Sequence, residues 1–410
     1  MSIAEQYPTG NLEDSSHSAR EPEKTSTREY ELHHVETHDP YISDEVTFRR
    51  INDQLEILAN MGLYGDSSID IARKRKKIDR ENPATAALIT ELPSFSDWLD
   101  LVPTAAALDS LYDPHKATLA DGKPLDPKLS EWFCNIVDGR GIRSRAEVVR
   151  GIMMTETAAL DNRAQWLSLA SGAAQPVIKT AKLLTEQGTL TPAVTLVDVD
   201  ANSLKLARQY ADEAGIGDHL KTRRMNILQP RGIDRDERSY DTLESTGGRL
   251  SAAALSIRGL MGMVRDGNKL PRNFYDTVEV VGLTEYLLEG NWGKTKAERQ
   301  RGKNTPELED EKYVYDQVIE EKDKPFAGAR DFLQNAYRLV KPGGSLIVGN
   351  MLDTHPQLGF TLNVIQWPHI QPRSIDEMMG IFDRAELDGK TDVYTTPDGA
   401  YAIYRITKGR

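Results

Sequence analysis

Several residues in this sequence have types and spacing suited to chemistry. A run of small residues, Ala170-Ser171-Gly172-Ala173-Ala174, follows the short apolar stretch Trp166–Leu169. Small side chains there let a ligand approach the backbone closely. Asp198 ends a second apolar stretch, Ala193–Asp198, and a carboxylate at a strand end can accept hydrogen bonds from both ribose hydroxyls. Asn226, with Ile227 after it, lies in a third stretch, and its amide oxygen can meet an amino group. Glu285, His355 and Asp353 are candidate general bases, each with a plainer alternative: a helix-start carboxylate, a surface histidine and a turn residue. The order strand, small turn, helix, strand, acid is how a Rossmann-like sheet holds an adenosine-bearing ligand.

Alternating strands and helices must position these groups, and that alternation signals a parallel sheet. Trp166–Leu169, Ala193–Asp198, Thr222–Leu228, Tyr275–Val281 and Ser345–Asn350 read as five strands. After the first, Val177, Ile178, Ala181 and Leu184 share a helix face that stops at Gly188. After the second, Leu204, Ala207, Ala211 and Ala214 repeat at helical spacing, and Asp200 is placed to cap that helix. A further helix is expected to begin near Leu283. Phe326–Val340 reads as the helix before the fifth strand, with Lys341-Pro342-Gly343-Gly344 as its stop and turn. Thr396-Pro397-Asp398-Gly399, between Asp392–Tyr394 and Tyr401–Ile406, is a hairpin signal.

Upstream, residues 1–40 are polar and read as a disordered tail. They hold His33, His34 and His38, and the 34/38 pair has helical metal-ligand spacing, but no cysteine or ordered carboxylate accompanies it, so no metal site is assigned. Residues 41–160 read as a helical cap, with helices at Glu131–Val137 and Ala146–Met154. Its Arg140, Arg143 and Arg145 form either a helix-start charge cluster or a contact to a ligand carboxylate. Residues 161–410 are the catalytic-type domain, with insertions at 229–272, holding a helix at Ser251–Val264, and at 290–325.

Composition narrows the function classes. The chain has 410 residues, of which 39% are hydrophobic, enough for a real core. No run of about 18 apolar residues predicts a membrane span. The N-terminus lacks a basic start and an apolar core, so no signal peptide is expected. The lone Cys134 excludes an intramolecular disulfide and any cysteine-built zinc site. A reduced, cytoplasmic protein is the expectation. The net charge of −12 argues against a polyanionic partner such as nucleic acid. The basic run 73–77 reads as the solvated end of a helix. The oligomeric state is left open.

Together, the small loop, Asp198 and the LVKPGGSLIV segment at Leu339–Val348 resemble the class I S-adenosylmethionine (SAM)-dependent methyltransferases over residues 160–410. That family carries an acid-x-Gly-x-Gly-x-Gly loop. Here Ser168 stands at the acidic position, Ala170 and Ala174 at the outer glycines, and only Gly172 is kept. Alanine suits those positions if their φ is negative. The resemblance implies an α/β, Rossmann-like, mostly parallel sheet with a C-terminal antiparallel hairpin. It implies SAM as cofactor, held by Ser168, Ala170, Gly172, Ala174, Asp198, Val199, Asn226, Ile227 and Val281. It also implies methyl transfer to a small-molecule acceptor, with Glu285 and His355 as candidate catalytic groups. The segment Gly282-Leu283-Thr284-Glu285-Tyr286-Leu287 and the later GNM at 349–351, with Phe360, Trp367 and Arg373 beyond it, are similar to a bacterial subgroup acting on small or lipid-like acids. Trp367 and Phe360 could wall a substrate pocket or simply pack the core.

Two other classes stay in view. A non-catalytic SAM-fold module would explain the degenerate loop. A nicotinamide dehydrogenase is disfavoured by the absent G-x-G-x-x-G and by the hairpin ending. DNA amino-methylation would need an Asn/Asp-Pro-Pro-aromatic segment after the fourth strand, where this chain has VVGLTEY.

Overall fold

A computed structural model describes residues 28–61, 78–160, 163–228, 270–289, 328–368 and 370–410. The insertion helix expected at Ser251–Val264, the basic run 73–77 and nearly all of the 229–272 and 290–325 insertions lie outside these residues.

The chain opens with strand β1 (Tyr30–His34) and helices α1 (Glu45–Met61), α2 (Pro83–Glu91), α3 (Pro93–Leu99), α4 (Ala105–Tyr112), α5 (Pro127–Asn135) and α6 (Val137–Ala158). The alternating part follows: β2 (Gln165–Leu169), α7 (Gln175–Glu186), β3 (Ala193–Asp198), α8 (Ala201–Glu213), β4 (Leu220–Arg224) and β5 (Tyr275–Val281). It ends with α9 (Ala329–Leu339), β6 (Val340–Met351), α10 (Ile375–Arg384), β7 (Lys390–Thr395) and β8 (Tyr401–Thr407).

These strands form one eight-stranded sheet in the order β1-β7-β8-β6-β5-β2-β3-β4. All pairings are parallel except those of β8, which runs antiparallel to both β6 and β7. The expected α/β sheet with a closing hairpin is therefore present. Helices cover both faces, so the central strands are buried on both sides and read as near-continuous apolar runs. One face packs on α9 and α10 through Phe332, Leu333, Met378 and Phe382. The other packs on α6, α7 and α8 through Val149, Ile178, Ala181 and Ala207. A third cluster joins α1–α5 to the segment after β6, with Trp98 against Phe133 and Trp367, and Trp132 against Phe360. Phe360 and Trp367 are thus core residues, the plainer of their two readings.

Several expectations are corrected. The polar tail does not run to residue 40, because Tyr30–His34 forms an edge strand in register with Thr391–Thr395. Its hold is main-chain pairing plus Arg28, which bonds Thr391 Oγ1 at 2.8 Å and the Gly389 carbonyl at 2.6 Å, and neither signal shows in hydropathy. The strand expected at Thr222–Leu228 lies at Leu220–Arg224, and the chain leaves the sheet before Asn226. A single 3-10 turn, Thr284–Tyr286, stands where a helix was expected near Leu283. Lys341–Gly344 is absorbed into β6 at a bulge, where pairing skips from Tyr275↔Val340 to Thr277↔Ser345. The segment Gly139–Arg145 lies inside one 22-residue helix. Its glycines are there for close approach: a Cβ on Gly141 would sit 2.4 Å from Ala400 Cβ, and one on Gly139 2.4 Å from the Phe133 carbonyl oxygen.

Candidate functional site

Chain order reverses between β2 and β5, which are neighbours in the sheet although β3 and β4 intervene in sequence. In open α/β sheets a crevice forms at the carboxyl ends of the strands at such a reversal. A cavity of about 30 Å³ lies there. Its walls come from β2 (Ser168), the following loop (Ser171, Ala174), β5 (Glu279, Val281) and the helical region (Tyr112, Arg145). The volume is that of a water or two.

The loop after β2 is tightly wound. Ala170, Gly172 and Ala174 have φ of 51°, 52° and 52°. The condition under which alanine would suit these positions, a negative φ, is therefore not met. Left-handed backbone costs an L-residue about 1–2 kcal/mol, so the loop keeps a glycine-like shape without two of the glycines. The Gly172 N–H donates to Asp198 Oδ2 at 2.8 Å, and the Asp200 N–H to Oδ1 at 2.9 Å. Burial pushes the Asp198 carboxyl up, and these N–H groups oppose that shift. Asp200 caps α8 as expected, accepting from the Asn202 and Ser203 N–H groups. A Cβ on Gly172 would lie 2.7 Å from Ala105 Cβ, so the start of α4 covers this loop.

Beyond β3 and β4, Val199 is half-buried and its carbonyl accepts from Arg224 Nε. Asn226 Oδ1 accepts from the Leu228 N–H at 3.1 Å, while its buried Nδ2 has no hydrogen-bond partner. The expected acceptor is thus already engaged, and the free group is a donor. Ile227 is buried in the core under the sheet.

On β5, Glu279 is buried and pairs in register with Ser168. The Ser168 hydroxyl donates to Glu279 Oε2 at 2.5 Å, and the Val281 N–H to Oε1 at 2.9 Å. Burial pushes the Glu279 carboxyl up to about 7, partly offset by these donors and by Arg145. Sequence reasoning missed this residue. Its signal was an acid inside an otherwise apolar central strand, DTVEVV.

The three arginines of α6 separate. Arg140 stacks over the Phe48 ring at 4.7 Å. Arg143 is wholly engaged, with Asp39 and the carbonyls of Leu111, Phe133 and Cys134 at 2.8–3.0 Å. Arg145 reaches the cavity. It stacks on the Tyr401 ring at 4.5 Å, and its Nη1 is 3.7 Å from Glu285 Oε1. Its Nε and Nη1 have no hydrogen-bond partner, nor does the Ser171 hydroxyl.

The candidate catalytic groups stand apart from the loop. Glu285 is buried behind Arg145, its Oε2 unpartnered and its carboxyl raised by burial. His355 is buried rather than at the surface. Its Nδ1 accepts from the Gln357 N–H at 3.0 Å and its Nε2 faces Asp138 at 3.6 Å. Burial lowers its basicity, which Asp138 and Asp398 oppose. It does not line the cavity. Of the predicted residues, the structure gathers Ser168, Ala174 and Val281 on the cavity and ties Gly172 to Asp198.

Of the histidine pair 34/38, His34 Nδ1 lies 2.9 Å from Thr395 Oγ1 and the His38 main-chain N–H donates to Glu147 Oε2 at 3.0 Å. Glu31, His33 and Asp392 do converge, but Lys390 lies 2.9 and 3.1 Å from the two carboxylates and makes this an ion-pair cluster.

No family model matches the sequence, and no curated protein does. Solved structures do resemble the fold. One is described as a possible exported protein from Bordetella parapertussis, with a TM-score of 0.50 and 11% identity over 90% of this chain and 99% of that one. A second is an O-methyltransferase family protein from Burkholderia thailandensis, with a TM-score of 0.37 and 13% identity over 87% of this chain and 82% of that one. A third is a magnesium protoporphyrin IX methyltransferase from Synechocystis with bound SAH, with a TM-score of 0.39 and 10% identity over 70% and 90%. At 11% identity the first likeness bears on fold alone, and the two with TM-scores under 0.5 carry no argument. Among the described residues no helix is long and apolar enough to cross a membrane.

Proposed function

We propose that this protein is a SAM-dependent methyltransferase acting on a small-molecule acceptor, by O-methylation of a hydroxyl or carboxylate. The observation that carries the reading is the placement of the polar groups. A left-handed small-residue loop, a carboxylate bonded to its central N–H and a polar cavity meet at the reversal point of a sheet closed by an antiparallel hairpin.

The residues present fit such a cofactor by their chemistry. Asp198 keeps lone pairs for a diol, Asn226 offers a buried, unpartnered amide donor, and Arg145 and Ser171 present unpartnered donors at the cavity. When bound, the cofactor supplies an electrophilic methyl group on a sulfonium. The chain's own part is to hold and orient, and to exclude water; for an in-line displacement with a neutral leaving group, positioning and desolvation supply most of the rate. A carboxylate acceptor needs no base. A hydroxyl acceptor would need one, and Glu285, which adjoins the cavity through Arg145, is the nearer of the two candidates. The small cavity and the seat of Ala105 on Gly172 require α4 to withdraw when a nucleoside binds.

The test is transfer of labelled methyl from SAM to a panel of hydroxy acids and fatty acids, with Glu285→Gln alongside. Transfer to a hydroxyl that falls at least about tenfold in the variant is expected if Glu285 is the base. Transfer to a carboxylate should survive it. A second reading, a non-catalytic SAM-fold module, is favoured by the covered loop and its strained alanines; binding of SAM without transfer to any acceptor would select it.

A further inference from the structure

We infer that Glu279 and Arg145 form a subsite for the α-amino acid end of a ligand. Glu279 takes the ammonium and Arg145 the carboxylate. This rests on the function proposed above, under which that ligand end is the methionine arm of the cofactor.

The inference starts from the sheet register. Ser168 stands near the carboxyl end of β2, at the position where the family it resembles carries an acid. Parallel pairing sets Glu279 beside it on β5, one strand spacing away, about 4.8 Å. The Ser168 hydroxyl and the Val281 N–H anchor one bond to each Glu279 oxygen. A carboxylate offers about four lone-pair sites, so acceptor capacity remains toward the cavity. The carboxylate missing from one strand is thus supplied from its neighbour at the same height.

Arg145 supplies the opposite charge on the same cavity. A buried guanidinium with two bare nitrogens is costly unless something accepts from it. Glu285 stands 3.7 Å off, beyond hydrogen-bond distance, and Tyr112 takes only Nη2, at 3.4 Å. A ligand carboxylate could accept from the free nitrogens, and the unpartnered Ser171 hydroxyl adds a donor to the same cavity. An ammonium acceptor and a carboxylate donor set on one small cavity are what a zwitterionic amino acid group needs. A neutral or purely anionic group would leave one wall unmatched.

The test is calorimetric titration of the full chain and of Glu279→Gln and Arg145→Met. The probes are S-adenosylhomocysteine, 5′-methylthioadenosine, which lacks the amino acid end, and free methionine. A charge-assisted hydrogen bond is worth about 1.5–3 kcal/mol, so each variant should lose about 10- to 100-fold affinity for S-adenosylhomocysteine. Affinity for 5′-methylthioadenosine should stay within about threefold. Should Arg145→Met fail to fold, Arg145→Lys keeps the charge without the planar fork and should show a smaller loss of the same selectivity. The swap Ser168→Glu with Glu279→Ser, which returns the acid to β2, should recover most of the loss seen in Glu279→Gln. Folded variants that bind S-adenosylhomocysteine as the wild type does would overturn the subsite and leave the cofactor reading intact. Wild-type protein that binds none of the three probes would overturn both. Wild-type protein that binds methionine alone, with loss in both variants, would support the subsite and make its ligand a free amino acid.

Discussion

Arg143 and Arg145 stand two positions apart on α6, and both are buried. Their surroundings could hardly differ more. Arg143 fills a seam within the helical region, where Asp39 and three main-chain carbonyls accept all it can give. Arg145 lies at the seam between that region and the sheet, over an aromatic ring, with two nitrogens bare. One arginine completes a structure; the other, on the reading proposed above, is held ready for a ligand carboxylate. Buried polar groups in folded chains are nearly always bonded, so an unsatisfied guanidinium on the cavity is where we propose that a ligand binds.

The comparison can be broken most forcefully at Arg143. Arg143→Ala leaves Asp39 and three carbonyls without their donor, and should cost about 3–5 kcal/mol in chemical denaturation. The paired change Arg145→Met with Glu285→Gln removes both charges of a poorly bonded pair and should move stability by less than about 1.5 kcal/mol. Equal costs at the two sites would show that Arg145 is structural.

Glu279 sharpens the contrast through pH. Its folded carboxyl sits at about 7, above the ordinary 4.5. Folding favours its neutral form, so that contribution is complete below about pH 4.5 and is lost as pH rises through about 7. Glu279→Gln abolishes the effect. The variant should therefore gain on wild type by about 2–3 kcal/mol between pH 5 and pH 8, read from denaturation at each pH. Parallel profiles would mean that the carboxyl is not strained by burial.

The smallest effect is expected in the loop. Ala170→Gly removes the cost of a left-handed alanine but adds backbone entropy to the unfolded chain. A net stabilisation of about 0.5–1 kcal/mol is expected, visible as a raised thermal midpoint. Destabilisation would show that the methyl group packs better than the backbone strains.

Much of this arrangement can be read in the sequence. The β2–α7–β3–α8 alternation, the small loop, Asp198 and the closing hairpin follow from periodicity and turn chemistry, which are local. Glu279 and Arg145 were not legible as a pair, because their meeting depends on strand register across 111 residues and on how α6 crosses the sheet. Helices were expected at Glu131–Val137 and Ala146–Met154 and not across Gly139–Arg145, because sequence alone does not show Ala400 and the Phe133 carbonyl pressed against Gly141 and Gly139. β1 escaped notice because its strand is secured by main-chain pairing and by Arg28, not by burial of its own side chains. Left-handed alanines in the loop ran against propensity, a conflict of the kind that functional sites hold.

The most direct measurement is calorimetric titration of S-adenosylhomocysteine into the full chain and into Asp198→Ala. Wild-type binding in the micromolar range, lost by at least about tenfold in the variant, is the predicted result. Folded wild-type protein that takes up no S-adenosylhomocysteine, or an Asp198→Ala variant that binds it equally well, would contradict the cofactor site.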